Sequence, residues 1–478
     1  MNSYNNDNKI ININKKSFIS IVIMLEVLVL LSILITYIIP KGTFGTTTDE
    51  FGNIVNDYNN FISLPEKSGI NIFKGLFGFI LVLFSSDGLS LLMLSLFLLV
   101  ISGAFQIMND TNGMYVIVNR MINKFKDKKN ILICLLTLIF MCFGSFFGLF
   151  EEVLTLLPLI VMITISLGYD GFTGFLICIV GTGFGFASAI TNPFTVITAS
   201  NIIGASPISN IWFRIIIFIV MYSLLILFIF KHIKKITKNP ELSPTFKADE
   251  NKKIITNETI IIDNESKIFN TYIIFLSVVL LMIITITSIS SLRSYTIVFL
   301  IVIFLIGGLI SGLIITKNLK NTFKSFLKGI LAALPTILLV LLASSIKYIL
   351  EEGMILATIS NSISKIIDGK DVFLIALMIY GIILILEFFI SSSTAKSIFV
   401  MGILGCVNIS LSKELLVLIY LFGDGFTNVL LPTSPVLLIG LSMIGMNYFT
   451  WLKKSKYLFI INTIIVIILI IIAILIGY

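Results

Sequence analysis

The chain has 478 residues, 57% of them hydrophobic and 12% charged, with a formal net charge of +8. Soluble globular domains average about 25% charged residues, so this composition excludes an ordinary soluble fold. The apolar stretches are continuous rather than alternating, which excludes a transmembrane β-barrel. Lys and Arg gather in short segments between those stretches, so the basic balance reports orientation and not a nucleic-acid partner.

Residues 1–16 are polar and Asn-rich and read as a cytoplasmic tail. A first half, 17–231, opens with a spanning helix at 17–39, too long for a signal-peptide core. A polar external loop at 43–68, a surface or half-spanning stretch near 70–86 and a span at 88–108 follow. A basic amphipathic segment then ends in Lys124, Lys126, Lys128 and Lys129. Residues 131–166 are apolar at both ends but broken at Gly144–Glu152. Two arms of roughly 13–15 residues are each too short to cross about 30 Å at 1.5 Å per residue, so a re-entrant hairpin is expected. Residues 172–203 read as a broken helix, interrupted at Gly183-Phe184-Gly185 and at Thr191-Asn192-Pro193, before a span at 209–231. His232, among lysines, is expected as a solvated headgroup-level residue, and residues 232–267 as a cytoplasmic linker.

The second half, 268–478, has spans at 268–290, 295–315 and 324–350 and an amphipathic stretch at 354–370. A second hairpin is expected at 372–408, interrupted at Glu387–Ser397. A second broken helix is expected at 413–447, interrupted at Gly423-Asp424-Gly425 and Pro432–Pro435, ahead of a final span. Cys134, Cys142, Cys178 and Cys406 all lie in apolar stretches without metal-ligand spacing and read as small buried residues. A cytoplasmic N-terminus puts every basic cluster inside and makes the two hairpins enter from opposite sides, an inverted repeat. Thr191-Asn192-Pro193 and Thr433-Ser434-Pro435 support it, and the same offset carries Glu152 onto Thr394. Interrupted helices at matching places point to a transporter's binding site.

Irregular backbone survives at mid-membrane where it is buried or lines a cavity. Candidate substrate groups there are Thr191, Asn192, Ser391, Ser392, Ser393, Thr394, Asn428, Thr433 and Ser434. A sodium ion would suit Ser188, Thr191, Asn192, Ser393, Thr394 and Thr433; the bland alternative is helix-packing glue. Charged residues are costly at that depth. Glu151, Glu152, Glu387 and Asp424 against Lys347 and Lys396 leave a net of minus two if all ionise, with a Lys396–Asp424 ion pair as the bland reading. The excess negative charge favours a cationic group, either a coupling ion or a substrate amine.

Gly148–Glu152, Gly183–Ser188 through Asn192-Pro193-Phe194, and Phe422–Asn428 through Pro432-Thr433-Ser434 resemble the YfcC-type branch of the anaerobic four-carbon-dicarboxylate carrier family. The resemblance covers essentially the whole chain. It implies an all-α polytopic membrane protein of the ion transporter superfamily, a homodimer in a bacterial cytoplasmic membrane working by an elevator mechanism. It implies transport of an organic acid or, as in arginine–ornithine antiporter relatives, a basic amino acid. Superfamily sodium-coupled carriers have Ser-Asn-Thr at both hairpin tips. Here the second tip has Ser392-Ser393-Thr394 and the first has Phe150-Glu151-Glu152. An amine-bearing substrate is therefore expected, with a sodium- or proton-coupled dicarboxylate carrier as the alternative. No filter motif supports a channel, and no His cluster, catalytic signature or cofactor loop supports a membrane enzyme.

Overall fold

The computed structural model describes residues 15–48, 54–64, 69–85, 88–125, 128–250, 264–289, 292, 295–367, 370–388, 393, 396–397, 400–401, 404 and 411–478. Among these, six helical stretches are long and apolar enough to cross a membrane: Leu91–Asp110, Lys129–Phe147, Ile211–Lys238, Ile297–Thr316, Leu319–Glu352 and Tyr448–Leu475. The chain is an all-α polytopic membrane protein, and its described residues also include a two-stranded β-hairpin.

Helix α1 (Lys15–Ile38) leads into strands β1 (Gly42–Thr48) and β2 (Ile54–Ser63), which pair antiparallel. This hairpin gives regular structure to the stretch expected only as a polar external loop. Its run of threonines supplies the β-branched side chains that favour an extended chain. It is fastened to the second half of the chain: Gly42 N donates to Met354 O at 2.9 Å and Thr358 Oγ1 to Pro40 O at 2.7 Å.

Short helices α2 (Ile72–Leu76) and α3 (Gly78–Leu81) precede α4 (Gly88–Asp110) and the amphipathic α5 (Gly113–Phe125). Beyond residues 251–263 come α12 (Glu265–Ser288), α13 (Thr296–Thr316), α14 (Leu319–Glu352) and α15 (Leu356–Ile367). Small residues let α4 meet two of these closely. A Cβ on Gly329 would stand 2.3 Å from Ser102 O, and one on Gly308 2.7 Å from the Ala104 Cβ. Close backbone approach through small residues is how helices associate in lipid, where apolar burial gives no preference for helix over lipid tail.

The remaining elements fall into two stretches of the chain. In the first, α6 (Lys129–Cys142) continues through a π-turn to Phe147, and α7 (Leu157–Ser166) follows an irregular tip. The Lys129 ammonium donates to Leu167 O at 2.8 Å, so the chain has returned to its starting level. The arms are unequal: the first is 19 residues long rather than the 13–15 expected. Then α8 (Gly171–Phe175), a π-turn and α9 (Gly181–Ala187) run to a break, and a further π-turn and α10 (Thr198–Ile203) resume beyond it. Helix α11 (Ile211–Lys238) closes the stretch. The second stretch comprises α16 (Val372–Leu386), α17 (Lys413–Thr427), α18 (Pro435–Met443) and α19 (Tyr448–Leu475).

The glycine triplets were expected to interrupt these helices, yet Gly183-Phe184-Gly185 lies within α9 and Gly423-Asp424-Gly425 within α17. Their role is proximity. A Cβ on Gly185 would sit 2.0 Å from Met141 O, and one on Gly425 2.2 Å from the Ala187 Cα. The actual breaks fall at 188–192 and 428–434. Each ends in the same device, a polar N-cap followed by proline at the first helical position: Asn192-Pro193 and Ser434-Pro435. Proline is pre-organised for that position and lacks the N–H that would go unpaired there.

The end of the molecule holding Lys129 and Leu167 also holds the cap of α8. Asp170 accepts from Thr173 N at 2.9 Å, Ser243 Oγ at 2.7 Å and His232 Nε2 at 2.9 Å. His232 is thus mostly buried against α8 rather than solvated. The start of the linker is docked as well: Asp249 Oδ2 accepts from Gly171 N at 2.8 Å. Ser412, which caps α17, donates to the carbonyl of Tyr478, whose ring packs on Phe213 at the start of α11, the end away from His232. Helix α8 therefore starts at one end of the molecule and α17 at the other. Cys178 is buried, whereas Cys134 and Cys142 are half-buried; Cys406 lies outside the described residues.

Candidate functional site

Helices α9 and α17 touch at Ala187 and Gly425, so the two breaks are neighbours. On α17, Tyr420, Asp424 and Asn428 are spaced four residues apart and share one face. Asp424 and Lys396 are fully buried and Glu387 is nearly so. The Lys396 ammonium bonds to Glu387 Oε2 and, at 2.5 Å, to Asp424 Oδ1. Asp424 Oδ2 accepts from Ser393 Oγ at 3.0 Å, and Tyr420 OH donates to Ser393 O at 2.6 Å. Asn428 Nδ2 donates to Asp424 O at 2.9 Å, while Thr433 Oγ1 reaches Glu387 O at 3.5 Å. Two carboxylates thus hold one ammonium where no water can.

The first hairpin's tip carries Glu151 and Glu152. Glu151 lies within electrostatic reach of both Asp424 and Glu152. Glu152 is buried and accepts from Phe150 N at 3.1 Å; Glu151 is partly exposed. Lys347, expected in this zone, instead pairs with Glu351 at 3.2 Å near the end of α14. The zone then holds four carboxylates and one ammonium, a balance of minus three if all ionise and more acidic than expected from the sequence.

The first break is stitched together by its own polar groups. Ser145 Oγ donates to Ser188 O at 2.9 Å, and Ser145 O accepts from Ile190 N and Thr191 N at 3.1 and 3.2 Å. Asn192 Oδ1 accepts from Phe194 N at 2.9 Å, and its Nδ2 donates to Gly144 O at 3.1 Å. Thr191 is exposed and donates to Phe146 O at 3.2 Å, and Ser188 Oγ donates to Phe184 O at 2.6 Å. Gly148, with φ of +68°, lets the tip come close: a Cβ there would stand 2.5 Å from Asn192 Oδ1. Ser434 caps α18 through Leu437 N at 3.4 Å.

Of the residues expected to form the site, the structure therefore joins Glu151, Ser393, Lys396, Asp424, Asn428 and Thr433. Ser188, Thr191, Asn192 and Ser434 hold the chain at the breaks. Ser391, Ser392 and Thr394 lie outside the described residues. Sequence reasoning had left out Tyr420, whose four-residue spacing to Asp424 was a usable signal, and Ser145, for which only its place in the interruption was. It counted Glu387 among the charges of the zone but not among the substrate groups, and Glu387 is the second carboxylate on Lys396. Among the described residues no His, Cys, Asp and Glu gather as a metal-ligand group.

The family model for the C4-dicarboxylate anaerobic carrier (DcuC) matches residues 17–475. The chain belongs to that family. This carrier is 26% identical over 390 residues to a protein of Escherichia coli (strain K12) named "Putative basic amino acid antiporter YfcC", covering 78% of this chain and 76% of that one. An uncharacterised protein of Haemophilus influenzae is 23% identical over 369 residues, covering 75% and 70%. Among solved structures, the carrier is similar to Neisseria gonorrhoeae MtrF, titled as one of a class of antimetabolite efflux pumps (TM-score 0.44, 15% identity, 94% of each chain). It is also similar to the Alcanivorax borkumensis YdaH transporter (TM-score 0.42, 14% identity, 96% and 99%). The carrier is a multi-pass protein of a membrane transporter family.

Proposed function

We propose that this carrier is a secondary transporter of a cationic amino acid, working by exchange across the bacterial cytoplasmic membrane with its N-terminus inside. The observation that carries the reading is the acidic centre, in which Glu387 and Asp424 share the Lys396 ammonium and Glu151 lies within electrostatic reach of Asp424. Such a field favours a substrate amine or guanidinium and repels a dianion. Lys396 serves as the resident cation, and an incoming amine competes with it for Glu387 and Asp424. The substrate carboxylate is held at the restarted half-helices after Pro193 and Pro435, whose N-terminal ends are electropositive. The name of the E. coli relative supports the same class. The opposite starting ends of α8 and α17 support an inverted repeat, and adjacent breaks at its centre suit an elevator in a homodimer. Sodium is the weaker coupling ion, because both ends of the Asn192 amide are already committed. The family description favours the second reading, a dicarboxylate carrier.

Counterflow in proteoliposomes separates these readings. Vesicles loaded with ornithine are expected to take up labelled arginine, saturably and without sodium, and Glu151→Gln with Glu152→Gln is expected to reduce that uptake at least tenfold. Succinate uptake into succinate-loaded vesicles, with no arginine uptake, would sink the cationic reading and favour the family's dicarboxylate.

A further inference from the structure

Between α11 and α19 lies a cavity of about 780 Å³, away from the acidic centre. Its walls are apolar: Leu224, Leu227 and Phe228 from one helix, Leu458, Ile461 and Ile465 from the other. Leu227 is 69% exposed, so this wall faces outward toward lipid. At one end the lining turns basic, with Lys231, Lys235 and Lys454. Lys231 and Lys235 are one helical turn apart on the same face, and Lys454 lies within electrostatic reach of Lys235. Among the described lining residues there is no carboxylate. The nearby Asp170 is occupied by His232, Thr173 and Ser243. Lys454 is anchored by donating to Leu242 O at 3.1 Å, which fixes it at the rim.

The dimensions match a single lipid. From Lys454 to Ile465 the groove runs about 16 Å along α19 at 1.5 Å per residue, close to one leaflet's share of a hydrocarbon core of about 30 Å. Its basic end therefore falls at the headgroup level, where Tyr457, also lining it, has the amphipathic ring typical of that zone. We infer that this groove is a binding site for an anionic phospholipid, with an acyl chain against the apolar walls and the phosphate between Lys231, Lys235 and Lys454. Juxtaposed basic side chains between membrane helices recognise lipid phosphates through local charge.

The full-length protein in neutral detergent tests this by native mass spectrometry and thermal unfolding, with phosphatidylglycerol, cardiolipin, phosphatidylcholine or inorganic phosphate added separately. The two anionic lipids are expected to stay bound and raise Tm, while phosphatidylcholine and phosphate are not. Lys231→Gln, Lys235→Gln and Lys454→Gln together should weaken anionic-lipid binding on the order of 100-fold. Lys320→Gln with Lys324→Gln, on another helix, should leave it unchanged. Equal binding of phosphatidylcholine, equal stabilisation by inorganic phosphate, or an undiminished preference in the triple variant would each overturn the site. If the triple variant does not fold, the lipid comparison on the unmodified protein still decides.

Discussion

Lys396 has no water to turn to, so its charge depends on Glu387 and Asp424. Removing one member of a buried ion cluster strands the others, at a cost of about 3–5 kcal/mol. Replacing all members by neutral groups of similar shape avoids that penalty. Lys396→Met is therefore expected to lower thermal stability sharply. The combined change Glu387→Gln, Lys396→Met and Asp424→Asn is expected to recover a substantial part of the loss without recovering transport. A Lys396→Met protein as stable as the unmodified one would refute the buried cluster. Ser145 poses a similar question at the first break, where its hydroxyl secures Ser188 O. Ser145→Ala should cost about 1–3 kcal/mol, read as a fall in Tm, because a buried carbonyl loses its donor. The charged residues were legible in the sequence because intramembrane charges are rare and costly. The Lys396–Asp424 ion pair was legible too, as the bland reading of those charges; Glu387 as its second carboxylate was not, because that contact is set by how the elements pack, which local spacing does not encode. The Ser, Thr and Asn residues were ambiguous in the sequence for another reason. The same groups that ligate ions also cap helices, and at Asn192 and Ser434 the following proline made capping the better use.

At the scale of elements, the crossing of α9 and α17 depends on absent side chains. Gly425→Val would drive a branched side chain into the Ala187 backbone. Overpacking of this kind costs about 1–3 kcal/mol. The expected result is a lower Tm and transport reduced at least tenfold, measured by counterflow. Normal transport by that variant would mean that the two breaks need not touch. Glycine was read from the sequence as a breaker, because it both disfavours a helix interior and permits close approach. Only the partner across the interface separates the two meanings. The positions of the breaks were half legible, since the Thr-x-Pro motifs marked the restart of each helix and the glycines misplaced the stop. The β-hairpin escaped notice because hydropathy reports only polarity in that stretch.

For the whole molecule, the cap of α8 links pH to stability. Burial alone would raise the Asp170 pKa, but bonds from His232, Thr173 and Ser243 outweigh it and hold the carboxyl below its ordinary value. A lowered folded-state pKa adds stability that is fully present above the unfolded value, near 3.8, and is lost as pH falls through the folded one. Asp170→Asn is therefore expected to reduce Tm at pH 7, by an amount equivalent to about 2 kcal/mol, with the gap closing below about pH 4. A gap that widened on acidification would contradict the assignment. The linker has its own consequence. Thr245 and Asp249 fasten to α8, an element of their own half, so the first 250 residues finish their own cap without help from the rest. What joins the halves is packing, as at Gly425 on Ala187, together with hydrogen bonds such as Ser102 Oγ to Gly329 O, Gly42 N to Met354 O and Lys454 Nζ to Leu242 O. Two separately encoded polypeptides, divided within 251–263, are thus expected to find each other in the membrane and restore uptake when co-expressed, and neither to do so alone. The peptide bond between the halves would then be a convenience of synthesis, dispensable once both have been inserted.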